Sequence, residues 1–412
     1  MHSTNCHLAS GLDEVFRAFI GCDVETPLPN PYNLSDAVHA RARAAVSWSD
    51  SPDITRRLTR LGYVHSRRFV VLPSSRKPRW LLPVKNGHFE SRAFDIYTPS
   101  SPIARKLKSL LLFVMKAGWE GWGRDNVVIA SKEPLPLEEV VRHVCGEPQP
   151  MFALSLGVTE SVRKLTLQVM GSGGAILGYI KVPLTQAADQ RVRHESAVLE
   201  RLGGFTQLRP YVPRLLYSGC CNGRYILFQS ALTGSPGPMS FMKMHSDFLR
   251  TLRCCQPVDK PGTTIVDGVA AKWESIVSRL GVKWHSLGRE VLRRASDKLS
   301  KLTVACGIMH GDFTPWHTRV HGGGVSLFDW ESASWETPAS WDRLHFLAQT
   351  ECLLNRKHGN GTANEYTDGD QACNLLYLLH STAQLVEEKA DLVGINYREK
   401  QILRHLSFAA GT

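Results

Sequence analysis

Between residues 307 and 331 the chain can fold in only a few ways. Gly307-Ile308-Met309 makes an apolar approach to His310-Gly311-Asp312-Phe313-Thr314-Pro315-Trp316-His317. Thr318-Arg319-Val320 and Val325-Ser326-Leu327-Phe328 read as short strands, and His321-Gly322-Gly323-Gly324 reads as the turn between them. A hairpin closed there returns Asp329 and Glu331 to the end of the unit that holds Asp312 and His317. Two carboxylates gathered from one short unit can divide the work of a phosphoryl transfer. One accepts the proton of an attacking hydroxyl while the other holds a divalent cation on phosphate oxygens. Each alone reads as an ordinary turn aspartate, since turns favour Asp; their order and separation make the pair informative. Ser326 lies in a strand with no histidine at matching spacing, so a Ser-His-Asp hydrolase finds no support.

A second constellation lies upstream. Residues 152–157, 165–170 and 175–182 read as three antiparallel strands. Between 186 and 202, Ala188, Val192, Glu195, Leu199 and Leu202 recur at three- and four-residue steps, which predicts a helix with Glu195 inside its apolar stripe. A carboxylate there is costly unless paired. Lys181, at the end of the preceding strand, is the natural partner. A purely structural ion pair, or a Glu195 at the stripe edge reaching water, would satisfy the same pattern. Residues 157–161 could cover phosphates from the loop between the first two strands, but they lack a full G-x-G-x-x-G. A further hairpin, 214–219 and 225–228, leads through Gln229-Ser230-Ala231 into the turn-rich stretch 233–238. Beyond it, 241–252, 289–302, 341–347 and 374–386 have helical periodicity, and 255–264 reads as a loop.

His310-Gly311-Asp312 followed by Asp329 and Glu331 resembles the aminoglycoside phosphotransferase and choline kinase group, which has a protein-kinase-like fold. The resemblance implies an α+β, two-lobed fold: a small antiparallel-sheet N-lobe with one key helix (146–232) and a mostly helical C-lobe with the catalytic loop (233–412). A basic N-terminal accessory region (1–145) precedes them. It also implies ATP and Mg²⁺ as cofactors, Asp312 as catalytic base and Asp329 as metal ligand, with Glu331 or His317 beside it. Lys181 steadied by Glu195 would contact the phosphates, the backbone at Gln229 and Ala231 the adenine edge. His310 and Asp342 would support the catalytic loop, although Asp342 equally fits an ordinary acid at a helix N-terminus. The Phe-Thr-Pro-Trp filling is similar to a bacterial branch often associated with cell-surface polysaccharide synthesis.

One position departs from the group. Its Asn, five residues after the Asp, is His317 here. Mg²⁺ favours oxygen over imidazole nitrogen. Either His317 has another role, or Glu331 supplies the missing oxygen, or Mn²⁺ serves, or the chain is catalytically weak. The expected activity is ATP-dependent O-phosphotransfer to a hydroxyl of a small molecule, a sugar or sugar-like alcohol. The alternative is a catalytically weak or inactive nucleotide-binding or scaffold protein of the same fold.

Charge is distributed unevenly. The 412 residues carry a net +11, and residues 41–110 hold 15 Lys plus Arg against 4 Asp plus Glu, which is the whole excess. That segment fits a solvated Arg-rich surface, or an anionic partner such as a membrane surface or a lipid-linked substrate. Nucleic acid is the weaker choice, since no zinc spacing, helix-turn-helix or aromatic RNA-binding motif accompanies it. Within the basic region, 103–117 has the pattern of a basic amphipathic helix. Packing onto its own domain with lysines outward is the commoner arrangement; lying on a membrane is the other. No apolar run approaches a membrane span. The ten cysteines include no C-x-x-C pair, and the N-terminus lacks a secretory pattern, so the expected location is the cytoplasm, in one variant peripheral at the inner membrane face.

Overall fold

The computed structural model describes residues 12–21, 42–48, 51–85, 88–97, 99, 102–116, 125–157, 161–354, 368–389 and 392–408. The chain divides into two compact units: Met1–Glu200 with Pro213–Leu232, and Arg201–Val212 with Thr233–Thr412. The first is built on an antiparallel sheet and the second is mostly helical, which is the α+β layout expected. Among the described residues no helix is long and apolar enough to cross a membrane, and the cysteines are free.

In the first unit, strands β1 (Ala44–Ser47), β2 (His65–Leu72), β3 (Trp80–Lys85), β4 (His88–Phe89) and β5 (Asp125–Ser131) come from the basic segment and its neighbours. Strands β6 (Met151–Ser155), β7 (Lys164–Met170), β8 (Ile176–Pro183), β9 (Leu215–Cys221) and β10 (Arg224–Ser230) follow. All join one sheet in the order β1-β5-β2-β3-β6-β7-β8-β10-β9, with β4 on β3. The two groups meet where β3 pairs with β6, Trp80 opposite Ser155 and Leu81 opposite Leu154. Position 145/146 therefore falls inside the first unit, and the sheet runs past it.

The helices of this unit are α1 (Leu12–Ile20), α2 (Pro52–Arg60), α3 (Pro102–Lys116), α4 (Pro136–Cys145) and α5 (Gln186–Gly203). In α1, Leu12, Val15, Phe16, Phe19 and Ile20 recur at helical spacing and are all buried. Phe19 meets Phe69 and Phe152 edge-to-face, with centroids 6.0 and 5.6 Å away, tying residues of the basic segment and of β6 into one core. Each such buried ring contributes about 1.5–3 kcal/mol. Arg67 on β2 forks onto Glu138 of α4, with Nε donating to Oε1 at 2.5 Å, and Leu135 N donates to the same carboxylate at 2.8 Å. This basic residue is thus a structural tie.

Helix α3 departs in part from the arrangement of inward leucines and outward lysines. Ile103, Leu107, Leu110 and Phe113, at steps of three and four, are exposed. Lys108 turns inward, where its Nζ donates to Tyr97 O at 2.8 Å and lies over the Phe94 ring. Leu112 joins it against the cluster of Leu82, Phe94 and Met170. The amphipathic pattern has two apolar flanks, and the core takes the one bordering Lys108, whose alkyl stem buries well.

The second unit holds two three-stranded sheets. One contains β11 (Ser235–Pro236), β14 (Thr318–His321) and β15 (Gly324–Leu327); the other β12 (Val258–Pro261), β13 (Thr303–Met309) and β16 (Ser334–Pro338). Its helices are α6 (Lys243–Cys255), α7 (Gly262–Ile276), α8 (Val282–Leu299), α9 (Trp341–Leu354), α10 (Asp368–Glu387) and α11 (Leu392–Phe408). The stretch expected to be a loop, 255–264, instead supplies β12 and the start of α7. Val258 to Pro261 pair with Cys306 to Thr303, so a polar, non-alternating segment becomes a strand because the edge of β13 recruits it. Helix α8 begins earlier than the expected 289, since Trp284, Leu287, Val291, Ala295 and Leu299 form its buried stripe. That stripe and Leu376, Leu379 and Ala383 of α10 share the core of this unit.

Candidate active site

Strand β13 delivers the chain into His310-Gly311-Asp312, and α9 holds that turn from its first residues. Asp342 accepts from His310 N at 2.8 Å and from Gly311 N at 3.0 Å. Burial pushes the Asp342 carboxyl up to about 6 against these two donors. Gly311 has φ +84°, and a Cβ there would lie 2.2 Å from Ser332 O, so only glycine fits. His310 is fully buried. Its Nε2 lies 3.1 Å from Phe328 O, which can only accept, so Nε2 carries the proton and Nδ1 accepts from Asp312 N at 3.2 Å. Burial lowers this imidazole to about 3, leaving it neutral and bonded on both sides.

The hairpin after it is the one the glycines predict. Thr318 faces Leu327 and His321 faces Gly324, so Gly322 and Gly323 form a two-residue loop. Their φ values, +58° and +78°, are left-handed at both central positions, as a type I′ turn requires. At its exit Asp329 also adopts φ +70°, a conformation that costs a non-glycine residue about 1–2 kcal/mol. Its neighbours enforce it: Trp330 is fully buried with Nε1 donating to Leu327 O at 2.9 Å, and Phe328 N donates to His317 O at 3.1 Å. Backbone strain fixed in this way clusters at working sites.

His317 lies between the two acids. Its Nδ1 is 3.0 Å from the Asp312 carbonyl oxygen, 3.1 Å from Thr314 Oγ1 and 3.5 Å from Asp312 Oδ2. Its Nε2 is 3.5 Å from Asp329 Oδ2. The carbonyl can only accept, so Nδ1 carries a proton, and Nε2 faces the Asp329 carboxylate. A protonated Nε2 donates to that carboxylate; a neutral one can share a cation with it. The set of one imidazole nitrogen and carboxylate oxygen fits a divalent ion that tolerates nitrogen. Glu331 lies in the short 3-10 turn Trp330–Ser332 directly after Asp329.

Asp312 keeps 38% of its side chain exposed. Burial pushes its carboxyl upward, but positive charge on His317 and the hydrogen bond from His345 outweigh that and hold it down at about 2. His345, on α9, places Nε2 3.0 Å from Asp312 Oδ1. The sequence reading missed this contact. The available signal was spacing: His345 lies one helical turn after Asp342, on the face that holds the His310–Asp312 turn.

In the first unit Lys181 on β8 places Nζ 2.7 and 2.6 Å from the two Glu195 oxygens of α5. The side chains are 6% and 0% exposed, so the pair is buried rather than at the stripe edge. Gln229 lies within β10, between β8 and β9, and its buried Oε1 has no partner among the described residues. Ala231 follows the end of that strand. Of the candidate phosphate-covering loop, residues 158–160 lie outside the described residues.

No family model and no curated protein matches this chain. Solved structures give partial likeness. A thermostable mutant of aminoglycoside phosphotransferase APH(4)-Ia, in its apo form, matches with TM-score 0.46 and 13% identity over 67% of this chain and 100% of its own. The GDP complex of wild-type aminoglycoside 2'-phosphotransferase-IIIa gives 0.42 and 12% over 65% and 98%. A ternary complex of an APH(4)-Ia mutant with ADP and hygromycin B gives 0.45 and 12% over 65% and 97%. With TM-scores all below one half, these likenesses assign no function to the chain.

Proposed function

We propose that this protein is an ATP-dependent O-phosphotransferase that acts on a hydroxyl of a small molecule, a sugar or sugar-like alcohol. One observation carries the reading: a single imidazole, His317, lies within 3.5 Å of both acid side chains, Asp312 and Asp329. The two acids are therefore close enough to serve one phosphoryl group. The supporting test is a phosphate-transfer screen of the purified protein against sugars, nucleosides, choline-like alcohols and aminoglycosides. A place in cell-surface glycan metabolism is the finer form of the proposal.

In this reading Asp312 receives and orients the acceptor hydroxyl. A carboxylate held near 2 is a weak base, so it takes the proton late, once the new P–O bond has formed. That suits a loose transition state in which positioning matters more than proton removal. Lys181, fixed by Glu195, places its ammonium against the α and β phosphates. Gln229 offers its unpartnered amide oxygen to the exocyclic amine of the base, and the backbone at Ala231 contacts the adenine edge. Asp329, with His317 Nε2 and Glu331, would hold Mg²⁺ or Mn²⁺. When bound, that ion neutralises charge on the β and γ oxygens. His310 and Asp342 keep the loop in register, and residues 1–145 act as an accessory to the nucleotide-binding part, 146–232.

The nitrogen ligand gives a specific expectation. Turnover in Mn²⁺ should exceed turnover in Mg²⁺, and His317→Asn should shift the Mg²⁺-to-Mn²⁺ ratio of kcat toward Mg²⁺ by about tenfold. Steady-state kcat in each metal measures this. An unchanged ratio would remove His317 from the ligand set.

A second element of the proposal concerns the acceptor's setting. Of the exposed row Ile103, Leu107, Leu110 and Phe113, the first three lie at the end of segment 41–110, which carries the chain's entire positive excess. An apolar row flanked by cations suits an anionic bilayer surface, with apolar side chains in the headgroup region and Lys and Arg on the phosphates. Flotation with vesicles containing an acidic phospholipid should carry the protein up at low salt. Leu107→Glu together with Phe113→Glu should leave it in the pellet fraction. Equal flotation with neutral vesicles, or none with acidic ones, would discard the membrane partner.

A further inference from the structure

Behind Asp312 a chain of buried polar groups runs into the helical core of the second unit. His345 Nε2 meets Asp312 Oδ1 at 3.0 Å, and His345 Nδ1 meets the Tyr377 hydroxyl at 3.2 Å. A carboxylate only accepts, so the neutral imidazole carries its proton on Nε2, and Nδ1 is left to accept the phenol proton. Tyr377 is buried on α10, and burial raises its pKa to about 12, so that proton stays in place. Arg398 of α11 lies in the same core, and its charge acts on the phenol. Arg398 is 1% exposed; its Nε donates to Ser381 Oγ at 3.3 Å and its Nη1 to Gly394 O at 3.4 Å. Among the described residues no carboxylate forms an ion pair with it.

Here the bonds run from the Tyr377 hydroxyl through His345 to the Asp312 carboxylate, two donors in line. Each link points its proton toward Asp312, so the dipoles add rather than cancel. The chain also distinguishes the two carboxylate oxygens. Oδ1 is committed to His345, and Oδ2 is the one left for an incoming hydroxyl.

We propose that Tyr377 and His345 form a positioning relay that fixes the rotation of the Asp312 carboxylate and presents Oδ2 to the acceptor. The proposal rests on the reading of Asp312 as the group that receives the acceptor hydroxyl. Neither residue touches the reacting atoms; Tyr377 acts through His345.

The decisive experiment pairs a spectrum with kinetics on the full chain. Long-range nitrogen–proton correlation spectra of ¹⁵N-histidine-labelled protein should show His345 as the Nε2–H tautomer, assigned by its absence in His345→Gln. Tyr377→Phe keeps the ring and removes the donor, so the His345 signals should move toward a mixture of tautomers. In turnover, His345→Gln retains an N–H donor and should keep kcat within about threefold, whereas His345→Leu should lose about 100-fold with KM for ATP nearly unchanged. His345→Gln no better than His345→Leu, or a His345 spectrum unmoved by Tyr377→Phe, would overturn the relay. If no acceptor is phosphorylated but the tautomer is as described and shifts in Asp312→Asn, the relay stands and the reaction assigned to the site fails. If Asp312→Asn is inactive while His345→Leu turns over normally, the relay alone fails.

Discussion

Asp312→Asn should lower phosphate transfer by at least about 1,000-fold while ATP binding changes by less than about twofold, because in the proposed reaction the interaction lost is one made only as the acceptor reacts. The substitution keeps the size of the side chain and its contact with His345. It removes the charge proposed to receive the acceptor's proton and adds an amide N–H that can face the hydroxyl as a competing donor. Initial rates at saturating ATP, with binding followed by calorimetry, separate the two effects. Wild-type turnover in this variant would place the base elsewhere; a collapse of ATP affinity would turn Asp312 into a nucleotide ligand.

The second large effect is one of stability and is independent of any reaction. Lys181→Met leaves the Glu195 carboxylate, 0% exposed, without its cation, and should cost about 3–5 kcal/mol of unfolding free energy. In a body of this size that corresponds to a fall in Tm on the order of 10 °C. Lys181→Met combined with Glu195→Leu should recover most of the loss, since two apolar groups then replace a buried ion pair. Denaturant melts of the two single variants and the double variant give the coupling. A Lys181→Met cost under about 1 kcal/mol would mean that the pair behaves like a surface salt bridge.

What could be read in the sequence shares one property: residue types with narrow geometric tolerance at short range. Gly322-Gly323 admit few turns, so the return of Asp329 toward Asp312 and His317 was legible from the hairpin alone. Glu195 in an apolar stripe demanded a cation, and Lys181 was within reach along the chain. Spacing after Asp342 could have pointed to His345, but its second bond was not legible, because it depends on Tyr377, 32 residues later, arriving on α10. The run of the sheet through β3 and β6 was hidden for the same reason, since pairing Leu81 with Leu154 is a long-range event with no local mark. Helix α3 shows a different limit. Periodicity reveals that a helix has an apolar flank, but which flank meets the core depends on neighbours such as Phe94 and Tyr97 that the local pattern does not contain.

The most direct test is ³¹P NMR of the purified protein with ATP, either Mg²⁺ or Mn²⁺, and the panel of alcohol acceptors. The expected result is loss of the γ-phosphate resonance, formation of ADP and a new phosphomonoester signal with at least one acceptor, none of it in Asp312→Asn. Intact ATP with every acceptor and both cations, from protein that is folded and nucleotide-bound, would contradict the assignment of Asp312 and Asp329 to phosphoryl transfer.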